Sequence, residues 1–215
     1  MAPFVSFMSR AGVESLLAAP GARADVRSKS RRRAGECALV MFIRVYSSSA
    51  DEGTTQCQLP ADAIAMLTAW GFRLVLVSGS PVDDIVAIQH QLDLVEPFIC
   101  NGGAALHVPS HYFESPKTSH VTASNDWEVF SFNPPDRAAG VNLVRDLFLA
   151  DGWSDVLTIG IGCDGDDYRV LSAVDIPIVV RDASKDQSML LRHIPAAYLT
   201  TATGTEGWTE ALIGS

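Results

Sequence analysis

Cysteine is scarce in this chain, four in 215 residues. None of the four (Cys37, Cys57, Cys100 and Cys163) stands in a C-x-x-C pair or in a Cys/His cluster with zinc spacing. That excludes a disulfide scaffold and a structural zinc module, and ordinary reduced thiols in a cytoplasmic protein are the expectation. Long apolar runs are also missing. None reaches the length of a bilayer span, so no membrane partner is expected. Basic residues are outnumbered, 16 Lys and Arg against 25 Asp and Glu, for a formal net charge of −9. A chain of that sign does not take nucleic acid as a bulk electrostatic partner. Charged residues make up 19% and hydrophobic residues 47%, the balance of a globular chain rather than a disordered one. Nothing in the pattern specifies an oligomeric state.

The few basic residues are unevenly placed. Residues 1–40 hold seven Lys and Arg against three Asp and Glu, while residues 41–215 hold nine against twenty-two. The early segment, with Ser28-Lys29-Ser30-Arg31-Arg32-Arg33, is rich in Ala, Arg, Gly and Ser and lacks a secretory h-region. Residues 1–36 read as a basic, disordered leader. An organelle transit peptide, a plain extension and a start assigned too early, with Met41 as the alternative, all stay open. Residues 37–215 are enough for one α/β domain with a full core.

Apolar runs and helical periodicity alternate through that domain. Ala38–Tyr46 reads as a first central strand, Pro60–Trp70 as a helix stopped by Gly71, and Leu74–Val77 as a strand ending at Ser78-Gly79-Ser80. Pro81–Leu92 is a second helix. Phe98–Ile99 and Ala104–Val108 flank the hairpin-type turn Asn101-Gly102-Gly103. Residues 109–135, with four prolines and weak periodicity, read as an insert or crossover. Asp136–Ala150 returns to helix. Val156–Ile161, the acidic turn 162–167, a helix from Tyr168 to Val174 and the strand Ile176–Val180 form a βαβ unit. A helix over Lys185–Ile194, a short strand over Ala197–Leu199 and a helix over Gly207–Ile213 complete the chain. This alternation indicates a three-layer, Rossmann-like parallel sheet. Ligands of such sheets bind where strand carboxyl ends meet the following loops. The carboxylates in 162–167 would suit a hard cation such as Mg²⁺ there, or they are a solvated turn.

In order, these blocks resemble the haloacid dehalogenase-like phosphatases, and within them the mannosyl-3-phosphoglycerate phosphatase group, over about Leu39 to Leu212. The residues that carry the resemblance are Leu76-Val77-Ser78-Gly79, Pro97 to Ala104, Val174-Asp175-Ile176-Pro177 and Gly204-Thr205-Glu206-Gly207-Trp208. The resemblance implies a Mg²⁺-dependent phosphomonoester hydrolase of mannosylglycerate synthesis. Such an enzyme uses a nucleophilic Asp at the end of the first strand, an acid/base Asp two residues on, a Ser and a Lys on the phosphoryl group, and an acidic turn on the metal.

Laid on this chain, that pattern is broken where the chemistry starts. The Asp-x-Asp-Gly-Thr motif falls on Arg44-Val45-Tyr46-Ser47-Ser48, so Arg44 stands at the nucleophile position and Tyr46 at the acid/base position. A guanidinium cannot attack phosphorus, and a phenol is a poor base at neutral pH. The resemblance carries phosphate binding to Ser78, Gly79 and Arg137, and metal binding to Asp164, Asp166 and Asp167, with Cys163 in place of the turn's first Asp. Mg²⁺ is therefore expected to bind weakly or not at all. Arg44 is expected to pair with an acidic neighbour such as Asp167, because a buried unpaired guanidinium is costly. The family's cap is expected to survive only as the segment 109–135, which leaves the sugar-phosphate specificity open. Two readings follow: an impaired phosphatase, or a non-catalytic pseudo-phosphatase that binds a small phosphorylated metabolite or a partner protein. A third is a chain whose first motif was lost from its reading frame.

Overall fold

The computed structural model describes residues 36–46, 59–114, 121–123 and 126–214. The leader before Glu36, Ser47 and Ser48 of the first motif, the polar stretch up to Gln58 with Cys57, and Pro116 lie outside the described residues.

The strands are β1 (Cys37–Arg44), β2 (Arg73–Val77), β3 (Phe98–Cys100), β4 (Ala105–Pro109), β5 (Val121–Ala123), β6 (Trp127–Ser131), β7 (Asp155–Gly162), β8 (Ile176–Arg181) and β9 (Tyr198–Thr203). They form one sheet in the order β5-β6-β4-β3-β2-β1-β7-β8-β9. From β3 to β9 the neighbours are parallel, while β4, β6 and β5 add an antiparallel edge. The helices are α1 (Ala61–Ala69), α2 (Val82–Gln91), α3 (Arg137–Ala150), α4 (Tyr168–Leu171), α5 (Ser188–His193) and α6 (Gly204–Ile213).

Strand β1 is buried on both sides because helices cover both faces of the sheet, as an apolar run without alternation requires. Its side chains divide with period two. Leu39, Met41 and Ile43 pack with Ile64 and Leu67 of α1, Ile85 of α2, and Trp208 and Leu212 of α6. Val40 and Phe42 pack with Val141, Val144 and Phe148 of α3 and Val170 of α4. These two cores make the three layers.

Several boundaries differ from the sequence pattern, each for a local reason. The turn at Asn101–Gly103 is a single 3-10 turn, with Asn101 and Gly102 both at positive φ, and it still reverses β3 into β4. Residues 127–131 of the 109–135 segment join the sheet by pairing with β4, and Phe130 is buried in the core. The helix expected from Lys185 starts only at Ser188, because Asp182 Oδ1 accepts from both the backbone N–H and the hydroxyl of Ser184 and holds 182–185 in a turn. The helix after the acidic turn ends at Leu171. Asp175 is drawn back to β7 instead, accepting from Thr158 N–H at 2.9 Å and from its hydroxyl at 2.7 Å.

The strand order matters most for function. The chain runs from β1 outward through β2 to β3, then returns to β7 on the other side of β1. The carboxyl ends of β1, β2 and β7 therefore surround a topological switch point, where open α/β sheets place their ligands. Register brings the three ends level: Arg44 pairs with Val77, and Ile43 with Ile161.

Candidate functional site

The site begins with Arg44, the last residue of β1. Its side chain cannot leave a strand flanked by β2 and β7, so it is buried with 6% exposure. Asp167, 1% exposed, lies across from it, with Arg44 Nε and Asp167 Oδ1 3.1 Å apart. The two atoms face each other as charges, without a well-aligned hydrogen bond. The other carboxylate oxygen of Asp167 accepts from the backbone N–H of Cys163 at 2.7 Å and of Asp164 at 3.2 Å, which closes the acidic turn on itself. Gly162 makes this possible. A Cβ there would lie 2.6 Å from Asp167 Cβ and 2.6 Å from its Oδ2, so a larger residue would evict the carboxylate. Burial, and then the neighbouring Asp164, push Asp167 above the usual carboxylate range, against the pull of Arg44 and the two N–H groups.

Tyr46 leans over the same turn. Its hydroxyl donates to Asp164 Oδ2 at 2.9 Å and lies 3.4 Å from both Asp167 Oδ2 and Cys163 Sγ. Burial, followed by the Asp167 charge, drives its pKa far above the normal phenol value, so it stays protonated. Lys185, from the loop after β8, reaches Asp164 Oδ2 at 2.8 Å and sits over the Tyr46 ring at 5.1 Å, while Arg44 approaches that ring within 4.8 Å. Burial alone would raise Asp164, but the bonds from Lys185 and Tyr46 hold it below the ordinary range. The buried Cys163 thiol is pushed up to about 11. Gln187 Nε2 ties the two loops together by donating to Cys163 O at 2.6 Å and Val180 O at 2.7 Å.

On the β2 side, Ser78 is buried. Its hydroxyl donates to Val45 O at 3.0 Å and accepts from Ser80 N–H at 3.1 Å, so its proton is engaged within the protein. Arg137 enters from the first turn of α3, where Asp136 caps the helix by accepting from Ala138 N–H at 2.9 Å. Gly103, at φ +96°, lets this helix start close by: a Cβ on it would lie 2.6 Å from Arg137 N. Arg137 Nη1 donates to Asp166 O at 2.7 Å, so the acidic turn contacts it through backbone rather than through the Asp166 carboxylate.

The structure thus brings together Arg44, Tyr46, Ser78, Gly79, Arg137 and the 163–167 turn. Lys185 and Gln187 belong to the same constellation but fall in no motif. Their signal is positional, since they follow the strand next to β7 and must therefore reach the same sheet edge.

The ligating atoms of Cys163, Asp164 and Asp167 lie within 4.8 Å of one another, close enough to surround an ion. The donor set does not fit Mg²⁺, however. Asp164 Oδ2 is held by Lys185 and Tyr46, and Asp164 Oδ1 accepts from Asp166 N–H at 3.0 Å. Asp167 Oδ2 is held by backbone N–H groups and its Oδ1 by the Arg44 charge. The Cys163 sulfur is a poor ligand for a cation that wants oxygen. Lys185 Nζ, 2.8 Å from Asp164 Oδ2, and Arg44 Nε, 3.1 Å from Asp167 Oδ1, already face the two carboxylates that an ion would need.

The Asp164–Lys185 pair has a pH signature. A carboxyl whose folded pKa is lowered contributes stability that is present above its unfolded value, near 3.9, and is lost as pH falls through the folded value. We expect Asp164→Asn to lose stability at neutral pH and to show a shallower decline on acidification below about pH 4. Urea unfolding midpoints measured from pH 2 to 7 check this, and parallel wild-type and variant curves would contradict it.

No family model matches the sequence, and no curated protein matches it significantly. Solved structures do share the fold. A haloacid dehalogenase-like hydrolase from Bacteroides thetaiotaomicron is 10% identical, with 81% of this chain and 98% of that chain covered and a TM-score of 0.54. A Thermoplasma acidophilum protein is 11% identical over 81% and 96%, also at a TM-score of 0.54. A protein assigned as a 3-deoxy-D-manno-octulosonate 8-phosphate phosphatase from Vibrio cholerae is 13% identical over 82% of each chain, at 0.50. The fold is therefore a Rossmann-like α/β sheet flanked by helices, shared with that haloacid dehalogenase-like hydrolase. No helix among the described residues is long and apolar enough to cross a membrane.

Proposed function

We propose that this chain is a phosphatase-scaffold protein of the mannosyl-3-phosphoglycerate phosphatase type. In this reading it binds a small phosphate monoester, of the sugar-phosphate class, and hydrolyses it no faster than background. The observation that carries this reading is Arg44, which stands at the end of the central strand, buried and paired with Asp167. Hydrolysis on this scaffold needs a carboxylate at that place to form a covalent phosphoryl intermediate, and a guanidinium has no lone pair to offer. The acid/base position fails as well. Tyr46 is held protonated by burial and by the carboxylates around it, so it cannot take a proton from water near neutrality. Asp164 is ionised, but Lys185 and Tyr46 engage it. Binding is not similarly damaged, because Arg137 and Arg44 keep positive charge at the switch point. The cytoplasm suits a protein whose Cys100 and Cys163 are buried free thiols.

Turnover of mannosyl-3-phosphoglycerate and of p-nitrophenyl phosphate, with and without Mg²⁺, tests the reading. Rates indistinguishable from the protein-free reaction are expected. Substantial Mg²⁺-dependent release of phosphate by the unmodified chain would overturn it, and would assign the chemistry to another carboxylate such as Asp164 or Asp166.

A further inference from the structure

The two guanidinium groups of the cleft lie close together and are incompletely satisfied. The position a Cβ on Gly79 would take is 3.8 Å from Arg44 Nη2 and 3.8 Å from Arg137 Nη2, so both heads converge on one point beside the β2 carboxyl end. Arg44 Nε and Nη1 and Arg137 Nε are buried without a hydrogen-bond acceptor. Burial, and then the proximity of Arg44, lower the Arg137 pKa. Asp167 offsets only one of these two like charges, and the buried N–H groups left without acceptors favour a further anion between the heads.

We propose that Arg44 and Arg137 form a metal-independent seat for one tetrahedral oxyanion, the phosphate group of a monoester. This rests on the non-hydrolytic reading above and adds to it the means of recognition. A phosphate presents several strong acceptor oxygens, and guanidinium forks bind them with directional, charge-assisted hydrogen bonds. Arg137 approaches from the first turn of the 14-residue helix α3, whose N-terminal end also favours negative charge. Arg44 supplies, from inside the protein, the positive charge that a phosphatase of this fold would recruit as a divalent cation. Its own counter-charge, Asp167, lies on the side of β7, which leaves the face toward Gly79 for the ligand.

Calorimetric titration of the full chain with inorganic phosphate and with glucose 6-phosphate, once in EDTA and once in Mg²⁺, tests the seat. Equal affinity in the two media is expected. Arg137→Gln should weaken binding about ten- to a hundredfold, the loss expected for a charged hydrogen bond, and Arg137→Lys should recover part of it. Because Arg137 is only half-buried, these variants keep the Arg44–Asp167 pair and the fold, which circular dichroism verifies. Tighter binding of the sugar phosphate assigns a monoester and equal binding assigns the bare oxyanion; both support the seat. Binding that requires Mg²⁺, or that ignores Arg137→Gln, or no binding at all, overturns it. Turnover is read in the same samples. Mg²⁺-dependent binding without turnover sinks the metal-free seat alone, whereas turnover sinks the non-hydrolytic reading.

Discussion

Replacing Asp167 by Ala is expected to cost about 3–5 kcal/mol of stability, the usual penalty for removing one partner of a buried ion pair. The loss has two sources. Arg44 would be left charged, 6% exposed and without its counter-ion. The N–H groups of Cys163 and Asp164 would lose their shared acceptor, so the turn after β7 would open. Asp167→Asn retains an oxygen for those N–H groups while losing the charge, and should fall between Ala and wild type. Against a typical total of about 5–15 kcal/mol, that is a large fraction of the whole stability. Urea denaturation followed by circular dichroism gives the answer. A loss below about 1 kcal/mol for Asp167→Ala would show that the 3.1 Å contact contributes little net stability, as exposed pairs do.

The second large effect concerns placing a carboxylate at position 44, the nucleophile position under the proposed function. Arg44→Asp places a carboxylate among Asp164 and Asp167 and removes the cation that offset them. We expect a destabilisation comparable to that of Asp167→Ala, and phosphatase activity still at background. Nucleophile, acid/base and metal shell act as one unit, so activity should return only when Tyr46→Asp and Cys163→Asp accompany Arg44→Asp. The same variant provides a sharp metal test. With the guanidinium gone, Asp167 Oδ1 and the new carboxylate lack a counter-charge, and Mg²⁺ should now stabilise the protein by mass action, about 2.7 kcal/mol at a hundredfold excess over its dissociation constant. Wild type should show no such gain. Equal Mg²⁺ stabilisation of wild type and Arg44→Asp would mean that the metal binds beside Arg44, contrary to the donor set described here.

Much of this architecture was legible in the sequence because it follows from local periodicity. The apolar run in Ala38–Tyr46, rich in β-branched and aromatic residues, reads as a first central strand, and β1 lies inside the sheet between β2 and β7. Pro60 before α1 and Gly71, at φ +88° after it, mark that helix from both ends. The crowding of carboxylates after β7, with Arg44 at the end of a strand adjacent to it, foreshadowed the pair with Asp167. The less legible parts depend on long-range contacts. Residues 185–187 read as the start of a helix because apolar spacing does not register that Asp182 can capture Ser184 just before them. Strands β5 and β6 were masked by the prolines and weak periodicity around them, and their pairing is decided by β4.

The chain's local patterns, then, determine a three-layer α/β sheet with an acidic turn, and place Arg44 rather than a carboxylate at the end of its central strand. Residue identity settles that last point, since no fold turns a guanidinium into a nucleophile. Only the tertiary structure decides what the remaining groups do to one another. It brings Lys185 onto Asp164 across 21 residues, engages the Ser78 proton on Val45 O, and aims Arg44 and Arg137 at one point beside Gly79. Parallel pairing of β1 with β2 and β7 produces these meetings, because it gathers at one sheet edge loops that are far apart in sequence.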